Sequence, residues 1–393
     1  MEQRAYDVIL VGGGVMGCAT ATYLLWADPD LKVAIVERDS TYTRASTPLS
    51  DGNARLQFNI KENIQMSQYG LEVLARFSEM MAVGDDKPDV AFRRQGNLFM
   101  VDEAGRAAAE QGLARQQQLN CDVTWWTPAD IQQHYPIFNL DGVVGATFGR
   151  DDGTMDPHAV LIAYRRKAEA LGAEIIEADV TELLKDGQRM TGVVLDSGEI
   201  LASAVIVNTA GGWATRLAAT VGVELPVDPV KRQVFVIETN VPEDLKLPLI
   251  LFPSGLYLIQ EHGGIFLCGK SFADDPVGTE DFRLDQRRFT DLMWPELVEY
   301  APMFDRLKVR RGWAGLYAVN TFDGNAILGE WPELSGFYLA NGFSGHGFQQ
   351  CHAVGRYLTE LILGRPLSLD LSIFSPQRIL DNKPQFEGQL KLI

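Results

Sequence analysis

The chain has 393 residues, of which 46% are hydrophobic and 22% charged, a composition typical of globular proteins. Its formal net charge of −17 disfavours binding to nucleic acid or to an anionic membrane surface. It contains no apolar run long enough for a transmembrane helix. The four cysteines are scattered and the first apolar strand begins by residue 8, so we expect free thiols, no leader peptide and a cytoplasmic location.

The first element is a dinucleotide-binding pattern. An apolar run, Val8 to Val11, opens into Gly12-x-Gly14-x-x-Gly17; a helix-competent segment follows, and a second apolar run ends on Glu37. This order predicts a nucleotide whose phosphates face the helix N-terminus. Glu37 is placed to accept hydrogen bonds from the adenosine ribose, which disfavours NADP. The pattern leaves FAD and NAD both open.

The following elements alternate between helical and strand patterns. Residues 43–55 are small and polar and predict a loop that can enter a helix. Helices are predicted over 62–77, 103–119 and 159–171, and strands over 96–101, 172–180 and 203–211. Residues 226–320 are rich in β-type runs. Nucleotide-domain pieces therefore occur at the start, in the middle and at the end of the chain.

A second glycine turn lies near the end of the chain. A strand over 336–340 runs into three glycines, Gly342, Gly345 and Gly347, and a helix follows to about residue 363. Such a helix N-terminus directs backbone N–H groups toward an electron-rich group. Two glycine turns favour a long cofactor that is held at both ends, although a plain strand–helix turn has the same pattern.

Several motifs together resemble the D-amino-acid oxidase superfamily of FAD enzymes. The closest likeness is to the sarcosine/glycine oxidase group and to the FAD-dependent oxidoreductases that assist respiratory complex I assembly. The motifs are Gly12–Gly17 with Glu37, Ala45–Thr47, Asp152–Pro157, Val207–Trp213, Trp313–Tyr317, Asp323–Gly324 and Gly342–Gln349, and Asn320–Asn325 looks most like the assembly branch.

The resemblance implies an α/β fold with two domains. A Rossmann-like FAD-binding domain of discontinuous segments would comprise 1–78, 150–222 and 322–375. A substrate domain with a large mixed or antiparallel β-sheet would comprise 79–149 and 223–321, and 376–393 would form a C-terminal tail.

The resemblance also implies FAD, and non-covalent FAD, because Gly315 stands where some members attach flavin through a cysteine. The implied cofactor-binding residues are Gly12, Gly14, Val15, Met16, Gly17, Glu37, Arg38, Arg44, Ala45, Ser46, Thr47, Ser50, Gly52, Asn53, Val180, Ala210, Gly211, Trp213, Gly315, Gly345, His346, Gly347, Phe348 and Gln349.

Three departures concern the substrate and the oxidant. In sarcosine oxidases a lysine and an arginine bind the substrate carboxylate; here Gln349 stands in place of the lysine and Phe58 in place of the arginine. Leu267 stands in place of a further lysine, which activates oxygen in those enzymes. A carboxylate needs charged partners when it is buried. Substitute candidates are Arg311, Lys231 and Arg232, although each is equally compatible with ordinary ion pairing.

The resemblance implies oxidation of the C–N bond of a small amino acid, either an N-substituted glycine or other secondary amino acid, or a D-amino acid. Hydride would pass to flavin N5, the imine would hydrolyse, and oxygen or another acceptor would reoxidise the flavin. The predicted catalytic residues are Tyr257, Arg311, His346, Gln349 and Arg55. No metal site is predicted, and an oligomer is compatible with the sequence.

Three alternatives stay open at the level of sequence. The first is a dehydrogenase subunit that passes electrons to a partner. The second is a non-catalytic FAD-containing assembly protein. The third, an NAD-dependent dehydrogenase, requires the second glycine turn to be accidental.

Overall fold

The computed structural model describes residues 4–242 and 244–387. Its strands are β1 Val8–Val11, β2 Val33–Glu37, β3 Asn53–Ala54, β4 Asn97–Asp102, β5 Val123–Trp126, β6 Val143–Gly149, β7 Gly153–Thr154, β8 Glu174–Glu177, β9 Val180–Asp186, β10 Arg189–Leu195, β11 Ile200–Ala202, β12 Ile206–Asn208, β13 Val227–Thr239, β14 Leu249–Leu251, β15 Tyr257–His262, β16 Ile265–Gly269, β17 Leu307–Asn320, β18 Ile327–Glu330 and β19 Phe337–Asn341. Its α-helices are α1 Val15–Ala27, α2 Lys61–Leu74, α3 Phe77–Met80, α4 Arg106–Gln118, α5 Pro128–His134, α6 Pro157–Ala170, α7 Ala214–Ala219, α8 Trp294–Tyr300, α9 Gly347–Ile362 and α10 Gln377–Leu380.

The first of the two large sheets has the strand order β18-β19-β12-β1-β2-β8. All neighbouring strands are parallel except β18 and β19. The central strand β1 is buried on both faces: Leu10 packs with the cluster that contains α1, α6 and α9, and Ile9 packs on the opposite side with the small sheet β11-β10-β9 and α7. A parallel sheet covered on both faces places its ligand site at the carboxyl ends of its strands.

The second large sheet is mixed, with the order β17-β13-β16-β15-β14-β4-β6-β5. Its pairs are antiparallel apart from β14 with β4. Because side chains alternate along a strand, Phe235 and Leu258 pack on one face against the helical segment 288–305. Val234 and Tyr257 lie on the opposite face, which is turned toward the main cavity of the protein.

The observed architecture confirms the predicted fold class. The strands of the parallel sheet come from 8–37, 174–208 and 327–341, which are separate segments of the chain. The domain boundaries themselves stay a prediction. One local prediction was wrong in part: after the turns of residues 39–50, the loop enters the short strand β3, which pairs with β7, and the next helix begins only at Lys61.

The described part of the predicted tail packs against the body of the protein. Arg378 forms a buried ion pair with Asp323 at 2.8 Å. Glu387 accepts hydrogen bonds from the backbone N–H groups of Asn59, at 2.5 Å, and Ile60, at 3.2 Å, at the start of α2. Residues 388–393 of this predicted tail lie outside the described residues. No helix within the described ranges is long and apolar enough to cross a membrane.

Candidate active site

A deep cleft runs from the carboxyl ends of β1 and β2 to the inner face of the mixed sheet. We call it the long cleft; it encloses about 1560 Å³, its open mouth included. Glu37 lines one end and Tyr257 the other. A smaller space, the side chamber, adjoins it and measures about 410 Å³ with its open part included. The side chamber is lined by Ser50, Asp51, Asn53, Arg55, Leu249, Tyr317, Gly345, His346, Phe348 and Gln349.

The first glycine turn forms part of the cleft wall. Gly12 has φ +107°, and a Cβ there would lie 2.6 Å from the carbonyl oxygen of Thr209. A Cβ on Gly17 would lie 2.1 Å from the carbonyl oxygen of Gly12, so glycine is needed for α1 to pack on the turn. By contrast, a Cβ on Gly14 would meet only the Thr47 hydroxyl, at 3.7 Å. The backbone before α1 is therefore open toward the cleft, where a phosphate can approach it.

Glu37 lies at the end of β2 and is 9% exposed. Its carboxylate accepts hydrogen bonds from the N–H groups of Gly13, at 2.8 Å, and Asp39, at 3.0 Å. Burial raises the pKa of this carboxyl, and the two backbone hydrogen bonds act in the opposite direction. No cation of the described residues pairs with it within 4.0 Å, so its remaining lone pairs are free for hydroxyl donors such as those of a ribose.

Cationic and aromatic side chains alternate beside the mouth of the cleft. The guanidinium carbon of Arg38 lies 3.7 Å from the ring centroid of Trp213, and both residues line the cleft. Trp213 stacks on Phe282 with ring centroids 6.5 Å apart, and Arg44 lies 5.7 Å from the Phe282 centroid. Flat, electron-rich groups stack favourably on such surfaces.

The second glycine turn forms the opposite wall. Ser344 and Gly345 have positive φ, +50° and +102°, immediately before α9. The N-terminus of α9 therefore opens toward the cleft and the side chamber. The Asn341 side chain is fully buried on the cleft wall, and neither its nitrogen nor its oxygen has a partner among the described residues. An unpaired buried amide of this kind fits a polar ligand in the cleft.

Arg55 brings a positive charge into the side chamber. Its side chain is 7% exposed, and one guanidinium N–H donates to the carbonyl oxygen of Gln57 at 3.0 Å. The guanidinium carbon lies 4.2 Å from the ring centroid of Phe58. No carboxylate of residues 4–242 or 244–387 lies within 4.0 Å of it. Burial lowers the pKa of Arg55, whereas Glu387 and Asp152 raise it from a distance.

His346 and Gln349 lie beside this arginine. His346 is 5% exposed, and neither ring nitrogen has a partner among the described residues. Burial and the nearby charge of Arg55 lower the pKa of His346 to about 3, so the imidazole is neutral at physiological pH. The amide oxygen of Gln349 accepts a hydrogen bond from the backbone N–H of Arg55 at 2.5 Å.

Asp51, Tyr257 and Tyr317 meet where the two spaces join. Asp51 and Tyr317 line both spaces, and Tyr257 lines the long cleft. Burial raises the pKa of Asp51, and the Tyr257 hydroxyl acts against this rise by hydrogen bonding to the carboxyl. Burial and the Asp51 charge raise the pKa of Tyr257 and of Tyr317.

Most of the residues predicted to bind the cofactor line the long cleft. These are Gly12, Gly14, Val15, Met16, Glu37, Arg38, Arg44, Ala45, Ser46, Thr47, Ser50, Val180, Ala210, Gly211, Trp213, Gly315, Gly345, Gly347 and Phe348. Asn53, His346 and Gln349 line the side chamber. Gly17 and Gly52 line neither space, because each packs closely against backbone.

The predicted catalytic residues are divided between the two spaces and the surface. Tyr257 lines the cleft, and Arg55, His346 and Gln349 line the chamber. Arg311 lines neither space and is exposed on β17. The sequence analysis gave no individual role to Asp51, Tyr317 or Asn341. Asp51 lies within the segment Ser50–Asn53 that the resemblance assigns to the cofactor, Tyr317 was visible as part of a motif, and Asn341 directly precedes the second glycine turn.

The other cations proposed from sequence have partners. Lys231 pairs with Asp281 at 2.8 Å, outside the two spaces. Arg232 lines the long cleft, but its guanidinium pairs with the buried carboxylate of Asp275. Lys270, which follows Gly269 and was not among the candidates, pairs with Glu296. Arg38 and Arg44 also line the cleft without a carboxylate within 4.0 Å, but Arg38 is half-buried and Arg44 exposed. Among the described residues, Arg55 is therefore the buried cation of the two spaces that lacks a carboxylate partner.

A parallel sheet, two glycine turns and a buried acid at the end of β2 define a nucleotide-binding α/β protein whose cleft is built for an extended ligand. The family model described as FAD dependent oxidoreductase matches residues 7–361. The chain belongs to this family of enzymes, which confirms the resemblance found in its sequence.

Known proteins match the chain over almost its whole length. It is 36% identical to FAD-dependent oxidoreductase domain-containing protein 1 of Xenopus laevis, over 98% of this chain and 84% of that protein. It is 28% identical to sarcosine oxidase subunit beta of an Arthrobacter species, over 94% of this chain and 91% of that one. The crystal structure of L-proline dehydrogenase from P. horikoshii superposes with a TM-score of 0.86 at 24% identity, covering 98% of this chain and all of that one, and it supports the fold alone.

Proposed function

We propose that the protein binds FAD non-covalently in the long cleft and oxidises the C–N bond of a small amino acid in the side chamber. The observation that carries the proposal is the buried guanidinium of Arg55, which has no carboxylate partner within 4.0 Å among the described residues. A buried, unpaired charge is costly. A substrate carboxylate in the adjoining space would supply the missing partner.

Successive parts of the cleft wall suit successive parts of an extended FAD molecule. The open turn at Gly14 and the N-terminus of α1 would hold the pyrophosphate, and Glu37 would accept hydrogen bonds from the ribose. The N-terminus of α9 would meet the pyrimidine end of the flavin, where partial positive charge favours electron uptake. All four cysteines are buried and free, and none lines the cleft, which supports non-covalent binding.

The side chamber suits a small amino acid in charge. Arg55 would bind the carboxylate, and Tyr317 and Gln349 offer further hydrogen bonds. His346 stays neutral because its pKa is lowered to about 3, so it adds no second positive charge to the chamber. When bound, the flavin supplies the hydride acceptor at N5, and the resulting imine hydrolyses in water.

The test is anaerobic reduction of the bound flavin. N-substituted glycines, other secondary amino acids and D-amino acids would be added separately to the holoprotein while the oxidised-flavin absorbance is recorded. Bleaching by one class supports the proposal and identifies the substrate. Arg55→Met should raise the half-saturating concentration at least about 30-fold, because a charge-assisted pair is lost. Arg311→Met removes the same charge outside both spaces and should leave bleaching unchanged.

The same experiment distinguishes an oxidase from a dehydrogenase. Leu267 stands where sarcosine oxidases carry the oxygen-activating lysine, and the nearby Lys270 pairs with Glu296, so neither residue offers a free lysine for a fast reaction with oxygen. Slow reoxidation in air would favour a second candidate, a dehydrogenase subunit that passes electrons to a partner. One relative is itself named as a subunit. A bound flavin that dithionite reduces but no amino acid bleaches would instead favour a non-catalytic role.

A further inference from the structure

Asp51 is the acidic residue shared by the long cleft and the side chamber. Its carboxylate has no Lys, Arg or His partner within 4.0 Å in the part of the chain that the structure describes. It is half-buried and lines both spaces. The Tyr257 hydroxyl hydrogen bonds to this carboxyl, but the carboxyl lacks the close cationic partner that buried charges normally have.

The backbone holds Asp51 in a fixed position. The next residue, Gly52, has φ +71°, and a Cβ there would lie 2.1 Å from the carbonyl oxygen of Met155. Asn53 then pairs with Thr154 in the short sheet of β3 and β7, and its side-chain amide donates to the Gly153 carbonyl oxygen at 3.0 Å. Asp51 is therefore held on a packed segment, as a binding residue requires.

Among the described residues that line the chamber, Asp51 is the carboxylate and Arg55 the guanidinium, and neither forms an ion pair within 4.0 Å, although each feels the charge of the other. A zwitterionic amino acid is complementary to such a pair of charges. We propose that Asp51 is a specificity-determining residue that binds the positively charged amino group of the substrate while Arg55 binds the carboxylate. This inference rests on the proposed function and adds to it: the site selects amino acids over carboxylic acids of the same shape.

The groups that face Asp51 keep their charge states near neutral pH. Burial raises the pKa of Tyr257 and Tyr317 above their ordinary range, and an arginine such as Arg55 remains protonated. His346, in the same chamber, has a pKa lowered to about 3. Asp51 itself has a pKa raised by burial. The binding of a permanently charged ligand should therefore weaken as the pH falls and Asp51 becomes protonated.

Two ligands of nearly identical shape test the proposal. Trimethylglycine carries a permanent positive charge, and 3,3-dimethylbutanoate replaces its nitrogen by carbon and keeps only the carboxylate. Binding to the holoprotein would be measured by calorimetry and by perturbation of the flavin spectrum. Wild-type protein should prefer trimethylglycine by about tenfold or more. Asp51→Asn should abolish the preference by weakening trimethylglycine alone, and Asp141→Asn, an exposed site that lines neither space, should preserve it.

A second measurement uses the reacting amino acid. In anaerobic bleaching, Asp51→Asn should raise the half-saturating concentration about tenfold while bound FAD is retained. Equal binding of the two probes to wild-type protein, a preference that survives Asp51→Asn, or an unchanged half-saturating concentration would overturn the assignment. These failures would leave amino-acid bleaching in place, whereas failure of the proposed function would remove bleaching from wild-type and variant proteins alike.

Discussion

The carboxylate of Glu37 accepts a hydrogen bond from the backbone N–H of Gly13 at 2.8 Å, and so connects the end of β2 to the turn before α1. Glycine at position 13 permits this close approach, since a Cβ there would lie only 2.9 Å from the Cβ of Glu37. One side chain thus stabilises the turn that is proposed to bind phosphate and still offers lone pairs to the cleft. The same contact positions the turn before α1 relative to the end of β2, the two parts of the chain that are proposed to bind the adenosine half of the cofactor.

Glu37→Gln should weaken FAD binding by about 1–1.5 kcal/mol for each hydrogen bond to the ribose, because the acceptor changes from a charged group to a neutral one. The dissociation constant would be measured by reconstituting the apoprotein with FAD. Glu177 is the matched control, since it lies directly opposite Glu37 on the neighbouring strand β8 but lines neither space. A Glu177→Gln variant that loses FAD as readily as Glu37→Gln would contradict the assignment.

Tyr257 lies directly opposite Gly269 on the neighbouring strand β16. A Cβ on Gly269 would lie 2.3 Å from the tyrosine hydroxyl oxygen. Gly269→Ala should therefore displace the ring from its place beside Asp51, cost about 1–3 kcal/mol of stability and weaken substrate bleaching more than FAD binding. The control is Tyr257→Ala/Gly269→Ala, in which the clash is gone. The stability cost of Gly269→Ala, measured by denaturant unfolding, should largely vanish in that background.

The sequence predicted the parts of the site that depend on local signals. The turn before α1, the acid at the end of β2 and the turn before α9 each follow from glycines and apolar runs within a few residues of one another. Local signals could not show which face of the mixed sheet each side chain is on, or how its strands align with one another. Lys231 and Arg232 are consecutive, so β13 directs them to opposite faces, and only Arg232 lines the cleft.

The position of Arg311 shows the same limit. It lies opposite Val236, farther along β13 from the cleft than Arg232, and is exposed. The register of β17 on β13 decides this, and that register joins segments about 80 residues apart. Asp51 and Tyr317, 266 residues apart in the chain, likewise meet only through tertiary packing. A single sequence contains no local signal for such a contact.

The buried imidazole of His352 should make the folded protein less stable in acid. It is buried in α9, its Nδ1 lies 2.6 Å from the Tyr164 hydroxyl, and burial lowers its pKa to about 3. The unfolded chain takes up a proton on this imidazole near pH 6.5, which the folded chain does not. The free energy of unfolding should therefore fall as the pH drops below about 6.5.

His352→Gln should reduce that dependence. The measurement is the difference in Tm between about pH 7.5 and about pH 5.5, and it should be smaller in the variant than in wild-type protein even if the variant is less stable at both. His158→Gln removes an exposed imidazole and should leave the difference unchanged. An equal Tm difference in wild-type protein and His352→Gln would refute the prediction.

The ion pair between Arg378 and Asp323 fixes the C-terminal segment to the body of the protein. The two side chains are 5% and 0% exposed, and Arg378 also donates to the carbonyl oxygens of Asn325, at 3.1 Å, and Ala326, at 2.9 Å. Arg378→Met leaves a buried carboxylate without its cation and should cost about 3–5 kcal/mol in the free energy of unfolding. Lys383→Met, which breaks an exposed pair with Asp381, should cost at most about 1 kcal/mol. Comparable losses for the two variants in denaturant unfolding would show that the segment is not held by this pair.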